Sequence, residues 1–116
     1  MKYIIKTEDA TQLRTSILSC VNGGKDPQGK EIHTWAVTTT GNGEEVLIHV
    51  TDQWEDKGNL HLNPSKDNRV LEVRFMYWQK FPKESRSGDE AAYMLGRFTE
   101  LLLVHFYDNK NVVEIN

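Results

Sequence analysis

A chain of 116 residues with 38% hydrophobic and 27% charged side chains is long enough to bury one core and too short for two, so a single domain over residues 1–116 is expected. The formal net charge of -3 gives no general drive towards phosphate backbones, and the lone Cys20 can form neither an intrachain disulfide nor, by itself, a thiolate zinc site. The opening MKYIIK has too short an apolar run for a signal peptide, and no stretch approaches the roughly 20 residues of a membrane span, so a cytoplasmic setting is expected.

Tyr3 to Lys6 is short and β-branched, which suits a first strand. Thr7 is placed to cap a helix, with Glu8 and Asp9 at the positive end of its dipole. Ala10, Leu13, Ile17 and Cys20 or Val21 recur at helical spacing, and Asn22-Gly23 supplies a left-handed stop.

The loop that follows, GKDPQGKE from Gly24 to Glu31, fits the nucleotide-binding G-x-x-x-x-G-K-[ST] pattern at every position but the last. A phosphate cradle needs a strand before it and a helix N-terminus after it. Here a helix precedes and a strand follows, Pro27 removes an N–H donor, and Glu31 brings negative charge. No nucleotide-binding residues are assigned, and the stretch reads as a connecting loop.

IHTWAVTTTGNGEEVLIHV is a hairpin. A two-residue type I′ turn at Asn42-Gly43 sets Thr39 opposite Val46, Val37 opposite Ile48 and Trp35 opposite Val50 on the core face. Leu47 and His49 then fall on the opposite, more polar face. Leu60 and Leu62 mark a short strand before the turn-forming NPSKDN, and Arg69 to Trp78 alternates as the longest strand, with Leu71, Val73, Phe75 and Tyr77 on its apolar side. Ser87 and Glu90 form an S-x-x-E capping box for a second helix, Asp89 to about Tyr107. Gly96 in its middle costs helix propensity, and close packing is the reason expected for it. The tail NVVEIN is either an edge strand or frayed. The order β-α-β-β-β-β-α, with a possible short C-terminal strand, predicts an α+β fold of about four to six antiparallel strands and two helices.

Three groups of residues are candidates for function. The apolar stripe of the second helix is wider than one sheet face needs, through Leu103, Val104 and Tyr107, while Arg74, Met76 and Trp78 share the sheet face opposite the core. These residues point to a non-catalytic domain acting by protein association, with itself as a homodimer or with a partner, and without a cofactor. The alternative is a small-ligand or metal-dependent site at the sheet end, where the register sets His33 opposite Asp52 with Glu55 and Asp56 beyond. A second alternative is weak single-stranded nucleic-acid binding along Arg74 to Arg86, where aromatics and cations interleave, although Glu72 and Glu84 interrupt the charge. Cys20 on the buried stripe and the absence of a G-x-S-x-G elbow leave nucleophilic catalysis unsupported.

Overall fold

Among the described residues the elements run β1 (Lys2–Lys6), α1 (Ala10–Gly23), β2 (Trp35–Thr39), β3 (Glu45–His49), β4 (Gly58–Pro64), β5 (Val70–Tyr77), α2 (Glu90–His105) and β6 (Val112–Ile115). The computed structural model describes residues 2–51 and 54–106 together with the backbone of 112–115. Every strand pair is antiparallel, in the order β2-β3-β4-β5-β1-β6. The α+β class and the order β-α-β-β-β-β-α are those expected. NVVEIN supplies the extra strand, with Val113 opposite Ile5 of β1.

The N-cap of α1 lies two residues later than the expected Thr7. Asp9 is its N-cap, accepting from the Gln12 N–H at 3.0 Å and from Asn68 Nδ2 at 2.7 Å. Asn68, with φ of 62° in the β4–β5 turn, also accepts from the Thr11 N–H at 2.7 Å. An Asp outranks a Thr here because its carboxylate serves a helix donor and a donor from the β4–β5 turn together. The helix runs through Asn22-Gly23 to Gly24, whose φ of 77° lets the N–H groups of Gly24 and Lys25 turn back onto Val21 and Cys20.

The β2–β3 hairpin is shifted by one residue from the expected register. Its loop is Gly41–Gly43, closed by Thr40 N–H to Glu44 O at 2.8 Å and Gly43 N–H to Thr40 O at 2.9 Å, with Gly43 at φ of 83°. This is a type I turn followed by a left-handed glycine rather than a two-residue turn. Trp35 therefore faces His49, and Val37 faces Leu47. Because side chains alternate, one extra loop residue flips the whole of β3: Leu47 and His49 join the core face, and Val46 and Ile48 leave it.

Both helices cover that one face. Ile17, Leu18 and Val21 of α1 and Met94, Leu95, Phe98, Leu101 and Leu102 of α2 form one cluster with Tyr3, Ile5, Leu47, Leu60, Leu62, Leu71, Val73 and Phe75. The sheet members of this cluster are register partners of one another, so they share a face. Each such side chain, fully buried, contributes roughly 1.5–3 kcal/mol. The opposite face is polar along β1 and β5, where Glu72 lies 3.7 Å from Lys2 and 2.9 Å from Arg74.

Helix α2 is fastened at its start by Glu90. Its Oε1 accepts from the Tyr77 hydroxyl at 2.7 Å and the Gly88 N–H at 3.0 Å, and its Oε2 accepts from the Ser87 N–H at 3.1 Å and hydroxyl at 2.9 Å. Ser87 and Glu90 thus meet as the S-x-x-E pattern expects, but Glu90 is already the first helical residue and Asp89 holds the N-cap position. The Tyr77 hydroxyl above all, with the Ser87 donors, outweighs burial and holds the Glu90 carboxyl down at about 2.

Gly58 in β4 and Gly96 in α2 differ in what surrounds them. A Cβ on Gly58 would stand 2.4 Å from the Phe75 ring and 2.6 Å from the Met76 carbonyl, whereas one on Gly96 would meet nothing within 4 Å. Close packing therefore explains Gly58 and not Gly96. Gly58→Ala is expected to cost about 1–3 kcal/mol, and Gly96→Ala to add about 0.5–1 kcal/mol. Urea unfolding midpoints measure both, and an unchanged midpoint for Gly58→Ala would contradict the packing described.

Candidate functional site

One end of the sheet and the outer side of α2 enclose a cleft of about 390 Å³. Tyr93, Arg97, Leu101 and Val104 recur at helical spacing and form its helical wall, while Trp35, His49 and Thr51 form the sheet wall. Glu31 and His33 at the end of the loop after α1 complete the rim. Three of the chain's four histidines, His33, His49 and His105, line this one space.

His49 is the most deeply set of them, at 4% exposure. Its ring stacks on its cross-strand partner Trp35, with centroids 4.8 Å apart and 8° between planes, and faces Tyr93 at 6.2 Å and 18°. Tyr93 stacks in turn on Trp54 at 3.9 Å. The Arg97 guanidinium lies 5.2 Å from the Tyr93 ring centre and donates through Nε to the Tyr93 hydroxyl at 3.2 Å, while Nη1 holds both oxygens of Glu100 at 3.1 Å. The cation is thereby fixed in direction and partly neutralised.

The Nδ1 of His49 lies 3.0 Å from the Thr34 carbonyl oxygen. A carbonyl only accepts, so Nδ1 carries the proton and Nε2 of the neutral ring is the acceptor. Burial, and secondarily the Arg97 charge, push the His49 pKa below its ordinary value. A neutral imidazole of fixed tautomer therefore faces the cleft. Its anchor is strained: Thr34 is β-branched yet has φ of 67°, and its carbonyl also accepts from the Val50 N–H at 2.6 Å.

The GKDPQGKE loop is pinned rather than open. Asp26 is buried, its Oδ1 accepting from the N–H groups of Gln28 at 2.9 Å and Lys30 at 2.8 Å, and its Oδ2 from His105 Nδ1 at 2.8 Å. Burial acts to raise the Asp26 pKa, but the His105 and backbone hydrogen bonds together bring it below the ordinary range. Two of the N–H groups that a phosphate would need are thus used by the loop's own carboxylate. The loop fastens the C-terminal end of α2 and sets Glu31 and His33 at the cleft.

The residues singled out from the sequence are dispersed. His33 is exposed and lies 3.3 Å from Glu31, not beside Glu55 or Asp56, which are exposed, with Asp56 3.7 Å from Lys80. Asp52 and Tyr107 lie outside the described residues. Among the described residues no three His, Cys, Asp or Glu side chains gather where they could hold a metal ion, and no helix is long and apolar enough to cross a membrane.

Arg74 and Met76 are exposed on the open sheet face, whereas Trp78 is half-buried past the end of β5, its Nε1 donating to Glu55 O at 3.2 Å. Leu103 and Val104 are 57% and 54% exposed on α2. Along 74–86 three of the four cations are engaged: Arg74 with Glu72, Lys80 with Asp56, and Arg86 over the Tyr77 ring while donating to Phe81 O at 3.0 Å. The cleft residues that the sequence reading did not find are Trp35, His49, Tyr93 and Arg97. The i,i+4 spacing of Tyr93 and Arg97 was their one local signal.

Because His49 binds a proton less readily folded than unfolded, its contribution to stability is full above the ordinary histidine value of 6.5 and is lost as pH falls below it towards the folded value. His49→Phe keeps the stacking and removes the titration. Urea unfolding at pH 7.5 and pH 5 is expected to show a smaller loss of stability for His49→Phe than for the wild type across about that interval. Equal losses would contradict a desolvated His49. No known protein family, curated protein or solved structure matches the chain, so a functional reading rests on the chemistry of this cleft.

Proposed function

We propose that the protein is a small-ligand-binding domain whose site is the cleft between the β2–β3 end and α2. The observation that carries this reading is His49: a buried, neutral imidazole with its tautomer set by Thr34, presenting an acceptor nitrogen where no hydrogen bond from a described residue reaches it. Such a group is costly to desolvate and is matched by a ligand N–H or O–H. Thr51 Oγ1, buried and without a protein partner among the described residues, adds a second hydrogen-bonding atom in the same wall. Arg97, already compensated by Glu100, supplies orientation more than charge. The fitting ligand is a small polar molecule that need not be anionic. Its volume falls within the about 300–1,000 Å³ of ordinary ligand clefts.

A screen of neutral heteroaromatic N–H donors, such as aminopyridines and pyrimidinones, followed by ¹H–¹⁵N NMR, tests the site. Binders are expected to shift the Trp35 indole N–H and the Arg97 Nε–H, and to bind His49→Phe about tenfold or more weakly. Equal affinity for His49→Phe would remove the basis of the proposal.

Association is a second reading, favoured by the exposure of Leu103 and Val104 on adjacent positions of α2. A second copy of the chain docking along this helix would cover both and close over the cleft that Val104 lines. Light scattering across a concentration series is expected to show a dimer that Leu103→Glu dissociates. A wild type that stays monomeric at the highest concentration rules this out.

A further inference from the structure

A second recess lies on the open face of the sheet, away from both helices. It is a groove of about 650 Å³ between the hairpin tip, Thr40 to Asn42, and the end of β5, Met76 to Trp78. Asn59 and His61 of β4 lie between these two banks, and Glu44 closes the hairpin side. β3 pairs with β4 at Leu47 and Leu60, so the pairing residue of β4 sits between the groove residues Asn59 and His61.

One residue of the groove wall, Asn59, carries a buried acceptor without a partner. Asn59 is only 2% exposed, and its Nδ2 donates to the Met76 carbonyl at 3.3 Å. The carbonyl cannot donate, so the amide is not free to flip, and Oδ1 must point elsewhere. No described residue donates to it. A buried amide oxygen without a donor costs about 1–3 kcal/mol, which a ligand N–H would recover. The second acceptor is Glu44: its Oε1 lies 3.1 Å from His61 Nδ1, and Oε2 is the remaining oxygen of that carboxylate. The groove's own cation, Lys80, is drawn to Asp56, 3.7 Å away. Met76, 45% exposed, and the Trp78 ring supply apolar wall, with the Trp78 N–H already spent on Glu55.

We propose that this groove binds a small protonated primary amine, its ammonium donating to Asn59 Oδ1 and Glu44 and its apolar stem lying against Met76 and Trp78. An ammonium combines several N–H donors with one positive charge, which answers a neutral acceptor and a carboxylate together, and an indole face adds cation–π attraction. Neither a carboxylate nor a phosphate ligand meets these acceptors.

The test is an NMR titration of the whole chain with benzylammonium, and with benzyl alcohol and benzoate at matched ionic strength. Saturable shifts are expected at the Asn59 side-chain amide, the Trp78 indole N–H and the Gly41 and Asn42 amides for benzylammonium, with the alcohol about tenfold weaker and benzoate inert. Asn59→Leu and Glu44→Gln are each expected to weaken benzylammonium by about fivefold or more. Glu44 is on the rim, so Glu44→Gln decides the matter if Asn59→Leu does not fold. Benzyl alcohol binding as well as the amine, an unchanged affinity in Glu44→Gln, or no saturable shift at these positions overturns the proposal.

Discussion

The left-handed glycine at the hairpin tip is the constraint on which the rest of this structure depends. Gly43 makes the loop one residue longer than a two-residue turn, and side-chain alternation carries that single residue along the whole of β3. Leu47 is thereby delivered to Leu60 and the helices, and His49 to Trp35 and Tyr93. In the other register His49 would lie on the open face, and the cleft would lose its acceptor. The Val46 row would face the helices in its place.

Helix α2 must then be held against this face, and a carboxylate fastens it at each end. Glu90 gathers Tyr77, Ser87 and Gly88 at the N-terminal end, and Asp26 reaches His105 at the other. Between these fixed points Tyr93 stacks on Trp54 and Arg97 pairs with Glu100 on the exposed side of the helix. The loop that imitates a phosphate cradle is therefore part of the scaffold of the cleft. Its Gly, Asp and Lys residues make a tight turn around Asp26, and that turn is what positions Glu31 and His33.

Much of the architecture is legible in the chain because β5 and α2 carry clear periodicity. The Leu71, Val73 and Phe75 row can face only one way, and Met94, Leu95, Phe98, Leu101 and Leu102 define one helical stripe. The hairpin register is not legible, since Gly-Asn-Gly admits loops of both lengths and β3 has apolar residues on both faces: Val46 and Ile48 on one, Leu47 on the other. The left-handed conformation of Gly43 and the pairing of Leu47 with Leu60 go together, and neither is written in the local pattern. The cleft is hidden for a related reason. Trp35, His49, Tyr93 and Arg97 come from three elements and share no motif, so only the corrected register brings them together.

The buried polar side chains separate by how fully they are satisfied. Asp26, His49, Asn59 and Glu90 are the buried polar or charged residues among those described. Asp26 and Glu90 each take several donors, and both sit at ends of α2, where they do structural work. His49 and Asn59 each use one side of the side chain, on Thr34 and Met76, and keep an acceptor over. A domain of 116 residues has only a small net stability, and an unmet buried acceptor consumes an appreciable part of it. Asn59 Oδ1 is such an acceptor, on a residue in the wall of the open-face recess, whereas the acceptor nitrogen of His49 faces the cleft between sheet and helix. Strain at Thr34 accompanies His49. Strain at Thr34 and the unmet acceptor of Asn59 are costs that a bound ligand would recover, which is the ground for proposing both recesses as sites.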